Sequence, residues 1–332
     1  MELPIKNAIV CITSIQRATT AVKKFCALPV QKVIVAGDLS SPLDYELNHE
    51  KLDYLLQKQQ NTEFPELSAS LPWKSYTRKN IAFATAIKYN AELIIDTDDD
   101  NIPYEDFEIL PFDSTYYVTD PEIGFINIYK AFTEQNIWPR GFPLPLLKNE
   151  DNFSDTLSQS KISVGIWQGL ADGDPDVDAI YRLVVNSPCI FYRREPIVLN
   201  PGTWTPFNSQ NTIFRKEVFP LLYIPHSVSF RYSDILRSWV AQPILWAAGY
   251  RLGFTRATVF QERNPHDYMK DFESEIPMYL SSIQACEIIK SAVNPQNSIL
   301  GNMWSAYSSL CQAEIVKESE LKSLSEWFKL FD

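Results

Sequence analysis

The chain has 332 residues, 45% of them hydrophobic and 21% charged, with 30 Lys+Arg against 41 Asp+Glu for a formal net charge of −11. That acidic balance excludes a broad nucleic-acid footprint, which needs a basic surface to displace counterions. The 10 glycines form neither G-x-G-x-x-G nor G-x-x-x-x-G-K-[ST], which excludes the glycine-cradled dinucleotide and P-loop sites. Histidines at 49, 226 and 266 cannot make H-E-x-x-H. Cysteines at 11, 26, 189, 286 and 311 offer no C-x-x-C pair, and read as reduced thiols in a cytosol.

Met1 to Lys6 lacks the basic region and long apolar run of a signal peptide. Three short apolar runs then end in polar residues: Ala8–Ile12 into Thr13-Ser14, Lys32–Ala36 into Gly37-Asp38, and Glu92–Ile95 into Asp96-Thr97-Asp98-Asp99-Asp100. Such β-branched runs without alternation predict strands buried on both faces, as in a parallel sheet. Between the last two, Phe83, Ala86, Ile87 and Ala91 repeat at helical spacing within 76–91. Strands alternating with helices predict an α/β, Rossmann-like, mainly parallel central sheet flanked by helices, with ligands bound at the carboxyl ends of the strands. Thr13, Arg17 and Asp38, at the first two strand ends, and the acidic cluster then meet at one edge.

Residues 102–200 are irregular and turn-rich, with Trp138-Pro139-Arg140-Gly141-Phe142-Pro143 and a Gly/Asp/Pro stretch over 169–178. A helix is expected over 234–248. After Glu273 helical periodicity runs nearly to Asp332, so the expected division is a catalytic domain over 1–272 and a C-terminal helical extension over 273–332. Met303, Trp304, Trp327, Phe328 and Phe331 fit core or homodimer packing. The apolar uncharged stretch 238–250 is too short to span a bilayer, so a cytoplasmic protein, peripheral to a membrane at most, is the expectation.

The acidic cluster carries the chemistry. Alternate residues of a strand end point the same way, so Asp98 and Asp100 aim at one point. Oxygen ligands with open positions suit Mg²⁺ or Mn²⁺ bridging a diphosphate. Arg78 and Lys79, at the start of the helix leading into that strand, are candidates to hold phosphate oxygens. Asp234 alone reads as a helix N-cap and His266 alone as a surface or core histidine. Their order after an Asp-x-Asp makes them a candidate base and a candidate metal ligand.

The blocks Pro72–Asn80, Asp96–Asn101, Trp138–Leu144, Gly169–Leu183, Phe207–Thr212 and Arg231–Trp246 resemble the STELLO family of glycosyltransferases over roughly residues 5–280. The resemblance implies a GT-A-like fold and transfer of a sugar from a nucleotide-sugar, most readily a UDP-sugar, to a hydroxyl of a glycan or lipid-linked acceptor. It implies Asp98, Asp100 and His266 as metal ligands, Asp234 as base, and Thr13, Arg17, Asp38, Arg78, Lys79, Asp98 and Asn211 as donor contacts. A base on Asp234 predicts inversion. A second similarity, to the reversibly glycosylated polypeptides that act as UDP-arabinopyranose mutases, rests on Asp98–Asp100, Arg140–Leu144 and Gly169–Ala179. It implies that Arg140 orients the sugar or accepts it covalently. The plainer alternative pairs Arg140 with Asp172, Asp174 or Asp176. A mutase and a non-catalytic sugar-nucleotide-binding module remain the competing readings.

Overall fold

The computed structural model describes residues 4–148 and 157–331. Met1–Leu3 and Asp332 of the sequence readings lie outside the described residues. In chain order the elements are β1 (Ala8–Thr13), α1 (Thr20–Ala27), β2 (Lys32–Ala36), β3 (Leu52–Leu55), α2 (Gln57–Glu63), α3 (Pro65–Ser70), α4 (Lys79–Lys88), β4 (Leu93–Thr97) and β5 (Asn101–Pro103). There follow β6 (Asp113–Val118), β7 (Gly124–Phe125), β8 (Ser158–Asp172), α5 (Ala179–Val184), β9 (Ile197–Val198), β10 (Thr203–Trp204) and β11 (Asn211–Arg215). The chain closes with α6 (Phe230–Ala247), β12 (Arg251–Gln261), α7 (Tyr268–Ala292), α8 (Ile299–Gln312) and α9 (Ser319–Phe328).

Among the described residues, ten strands form one central sheet in the order β3-β2-β1-β4-β11-β8-β6-β9-β12-β5, flanked by helices. The α/β class read from the sequence is therefore what the chain adopts. The three predicted strands are β1, β2 and β4, and with β3 they make the parallel part. β11 then runs antiparallel to both β4 and β8, so the rest of the sheet is mixed. Alternation along β1 splits the apolar side chains into two layers. Ile9 and Cys11 join α4, α6 and the C-terminal helices, while Ala8, Val10 and Ile12 join Val22 and Phe25 of α1. Each Val, Ile or Phe side chain among these contributes about 1.5–3 kcal/mol by leaving water. The long β8, within the stretch read as irregular, begins Ser-Gln-Ser-Lys at the surface and turns apolar only further on.

The strand ends place the site. β1, β2 and β4 finish at the same edge, with Cys11 beside Asp96 and Thr13 beside Ala36. Because β11 is antiparallel, its first residue Asn211 pairs with Thr97, the last of β4. Thr97 Oγ1 donates to the Gln210 carbonyl (2.8 Å) and ties the 205–210 loop to the same edge. β12 ends at Gln261, opposite Asn101 of β5, and brings the following loop against the acidic turn.

The boundary expected at 272/273 falls inside α7. Met278, Ile289, Met303, Tyr307 and Trp327 of the C-terminal helices are buried in the same apolar cluster as α4 and α6. Trp304 is half-exposed and rests near Phe328. Glu320 of α9 is fully buried and accepts hydrogen bonds from the Tyr223 hydroxyl and from the backbone N–H groups of His226 (3.1 Å) and Ser227 (2.8 Å). It thereby holds the segment that leads into α6. Glu320→Ala would leave the buried Tyr223 hydroxyl and two part-buried N–H donors without their acceptor and should lower the unfolding free energy by roughly 2–4 kcal/mol. Glu320→Gln, which keeps one acceptor oxygen, should lose less. Urea denaturation measures both, and a loss below about 1 kcal/mol for the alanine variant would refute this role.

Candidate functional site

A cleft of about 1030 Å³ opens at the carboxyl edge of the parallel strands. Thr13, Asp38, Asp98, Asp100, Arg140, Asp234 and His266 all line it, so most of the sequence-predicted residues are brought together. Thr13 Oγ1 donates to the Ala36 carbonyl (2.9 Å). Asp38 accepts from the backbone N–H groups of Lys74 (2.8 Å) and Ser75 (2.9 Å), so it fixes the cleft wall that runs into α4.

The four acids at the end of β4 and in the turn after it meet four different environments. Asp96 is fully buried between Lys79 Nζ (2.7 Å) and Arg237 Nη1 (2.7 Å), and is part of the core. Asp98, with its side chain 29% exposed, accepts from Lys79 Nζ (2.9 Å) and from the Tyr76 hydroxyl (2.7 Å). Burial raises its pKa, against the pull of Lys79. Asp99 accepts from Ser14 Oγ and Asn264 Nδ2. Asp100 accepts from Gln261 Nε2 (3.1 Å), and burial, with the like charges of Asp98 and Asp99, pushes it up to about 7. Asp98 and Asp100 thus face the cleft as carboxylates with less counter-charge than Asp96 has.

Arg140 sits on the opposite wall, where Gly141 at φ +90° turns the chain; a Cβ there would come within 2.5 Å of Ile235 on α6. The guanidinium is sandwiched between two acids. It donates to Asp176 through Nε (2.8 Å) and Nη2 (2.7 Å), and to Asp234 through Nη1 (3.1 Å) and Nη2 (2.9 Å). Nη1 also bonds the Arg231 carbonyl. Burial lowers the Arg140 pKa, but Asp176 and Asp234 more than reverse that and raise it well above the ordinary value. Asp234 also accepts from the Ser209 N–H (3.2 Å), and against the burial that raises it, Arg140, Arg237 and Arg231 hold its pKa below the usual range.

Several expectations need correction. Arg78 is fully buried, stacked 3.7 Å from the Trp73 ring and bonded to Gln60, the Ser68 carbonyl and Ser68 Oγ, so it holds no ligand. Lys79 is likewise spent on Asp96 and Asp98. Asn211 is fully buried and donates to the Leu170 carbonyl and Thr258 Oγ1, away from the cleft. Arg17, with its side chain 68% exposed, pairs with Glu46 and lines a smaller adjoining cavity. Arg140, charged and fully bonded, is no covalent sugar acceptor; the pairing with Asp176 was the plainer alternative. Asp234 caps no N–H at N2 or N3, and its lone pairs are taken by Arg140 and Ser209, which counts against a free general base. His266 faces the cleft with Nδ1 against Asp271 (3.0 Å), and among the described residues no three His, Cys, Asp or Glu side chains converge as a preformed metal cage.

The sequence reading missed Tyr76, Gln210, Gln261 and Asn264, which hold the acidic turn, and Phe230, which lies half-exposed in the cleft one helical turn before Asp234. Tyr76 lies in the Pro72–Asn80 block and Gln210 in Phe207–Thr212, but nothing local marks a Tyr or Gln as a partner of residues distant in the chain.

An α/β protein with a carboxylate-lined cleft at its strand ends is the class that this fold and site define. The family described as STELLO glycosyltransferases matches residues 231–329. Two curated Arabidopsis thaliana proteins, probable glycosyltransferases STELLO1 and STELLO2, are each 28% identical over 253 and 266 residues, covering 70% and 74% of this chain. By these matches the chain is STELLO-like. It spans about a third of the length of those relatives, 32% and 34%. Among solved structures, M. tuberculosis glucosyl-3-phosphoglycerate synthase overlaps 86% of this chain and 82% of its own at TM-score 0.39 and 10% identity, too loosely to bear on the site.

The pKa of Asp100 has a consequence for stability. An acid whose folded value, about 7, lies above its unfolded value of about 3.9 binds its proton more tightly when folded. Stability therefore falls as pH rises between the two. In chelator, the thermal midpoint of the native chain should fall over that range by more than that of Asp100→Asn. Midpoint curves that stay parallel from about pH 4 to about pH 7 would refute the assignment.

Proposed function

We propose that the chain is a GT-A-like, metal-dependent glycosyltransferase that moves a sugar from a nucleotide-sugar, most readily a UDP-sugar, to a glycan or lipid-linked hydroxyl. The observation that carries this reading is the cleft itself. Thr13 and Asp38 at two parallel strand ends, Asp98 and Asp100 at the next, and the Arg140–Asp234 pair opposite line one cavity of a size for a nucleotide-sugar. The STELLO likeness supports the reaction class.

Asp98 and Asp100 would hold Mg²⁺ or Mn²⁺. Two carboxylates with open positions fit an ion whose remaining ligands are substrate phosphates and water, and the raised pKa of Asp100 fits a site short of positive charge. When bound, the ion supplies charge neutralisation at the leaving diphosphate. Lys79 and Tyr76 hold Asp98 in place, and Gln261 holds Asp100. Thr13 and Asp38 would flank the nucleoside, and His266, oriented by Asp271, would stand beside the phosphates. Arg140 keeps Asp234 ionised and occupies both its oxygens, so that Asp234 is a poor proton acceptor and instead fixes Arg140 on that wall of the cleft. Inversion at the anomeric carbon consequently lacks a carrier in this arrangement. That same pairing favours the second reading, a sugar-nucleotide-binding module without transfer.

No helix among the described residues is long and apolar enough to cross a membrane. A cytoplasmic placement belongs to the same proposal, as does a homodimer through the C-terminal helices, which the exposed Ile276, Leu280 and Ile283 of α7 and Trp304 of α8 support.

Calorimetry of UDP-sugars with Mn²⁺ or Mg²⁺ tests the reading. The native chain should bind in a metal-dependent way, and Asp98→Ala should weaken binding at least about 100-fold, near 2.7 kcal/mol, while keeping a native circular dichroism spectrum. Unchanged affinity in Asp98→Ala would remove the site. Metal-dependent release of the sugar, retained in the native chain, would separate an enzyme from a binding module.

A further inference from the structure

Arg263, in the loop after β12, is a buried cation whose surroundings leave it short of acceptors. Its side chain is 8% exposed and lines the cleft, yet neither Nε nor Nη2 makes a hydrogen bond. The nearest carboxylates, Asp174 (3.8 Å) and Asp271 (3.6 Å), stand beyond hydrogen-bond reach. Both are engaged elsewhere, Asp174 with Arg182 and Asp271 with His266. Burial and the neighbouring Arg231 lower the Arg263 pKa. By contrast Arg140 is saturated by Asp176 and Asp234, and Arg231 bonds Glu275 (2.9 Å) and the Val177 carbonyl (3.2 Å). A buried charged donor without an acceptor is costly, and a guanidinium fork matches the oxygens of a carboxylate or phosphate.

The position of Arg263 narrows what that group belongs to. Next to it, Asn264 bonds Asp99 through Nδ2 (3.3 Å) and Asp100 through its backbone N–H (3.4 Å), so the loop is pinned to the acidic turn. On its other side lie Asp174 and the Arg140 cluster. A ligand group at Arg263 therefore sits past the acidic turn, towards the Arg140–Asp234 pair. We propose that Arg263 binds a carboxylate or phosphate carried by the transferred sugar or by the acceptor, so that the substrate is anionic beyond its diphosphate. This rests on the nucleotide-sugar reading above.

The test uses the full chain saturated with UDP and Mg²⁺, into which inorganic phosphate is titrated by calorimetry. Phosphate should bind, at least about tenfold more weakly in Arg263→Gln, with UDP affinity changed by less than about twofold. Arg263→Lys, which keeps the charge without the fork, should fall between and covers the case in which the glutamine variant does not fold. Comparing UDP-glucuronate with UDP-glucose separates the sources. A uronate preference that Arg263→Gln abolishes assigns the anion to the sugar. Equal affinities, with the phosphate effect intact, assign it to the acceptor. Phosphate binding that is unchanged in Arg263→Gln, or that excludes UDP, overturns the proposal. If the native chain binds no UDP, the nucleotide-sugar reading fails. The phosphate titration without nucleotide then decides the anion site: dependence on Arg263 supports it and independence overturns it.

Discussion

The ion triad of Asp96 with Lys79 and Arg237 is the interaction on which the cleft depends. All three side chains are buried, and they come from the end of β4, the start of α4 and the middle of α6. Such a triad adds little net stability compared with apolar packing, but removing one member would strand the others at a cost of about 3–5 kcal/mol. What it provides is alignment. Lys79 reaches from Asp96 to Asp98, so the cleft carboxylate is set by the core one. Arg237 lies over the Phe207 and Phe214 rings and keeps the helix that carries Asp234 close to the strand that carries Asp98.

The triad also explains the electrostatic character of the site. The cations expected to meet phosphate, Arg78 and Lys79, are consumed in the core, and Arg140 is consumed by Asp176 and Asp234. The cleft therefore presents Asp98, Asp99 and Asp100 with hydrogen-bond donors but little nearby positive charge apart from Lys79, and burial with the like charges of Asp98 and Asp99 raises the pKa of Asp100. On the far side Arg263 has Nε and Nη2 without hydrogen-bond acceptors, with Asp174 and Asp271 only at ion-pair distance. A substrate that brings a cation to one end and an anion to the other would relieve both.

Much of the frame is legible in the sequence. The apolar runs ending in Thr13, Asp38 and Asp96 are strands because β-branched residues without alternation suit a doubly covered parallel sheet. The edge at which they end was legible too. β8 was not, since its surface half carries no apolar alternation to signal a strand. Nor was the fate of individual charges. Arg78 and Lys79 are neighbours of one chemical kind, and no local pattern says that one would stack on Trp73 while the other bridges two aspartates.

Sequence by itself determined the α/β class, the acidic strand end, the Arg140–Gly141 turn and the likeness to STELLO proteins, because each is written in contiguous residues. Only the tertiary structure decided which of the four clustered carboxylates face the cleft, that Asp234 is held by Arg140, and that Nε and Nη2 of Arg263 lack hydrogen-bond acceptors. Those facts depend on contacts between residues far apart in the chain, such as Lys79 with Asp96 or Arg140 with Asp234. Burial then decides whether a charge is spent on a partner or left for a ligand.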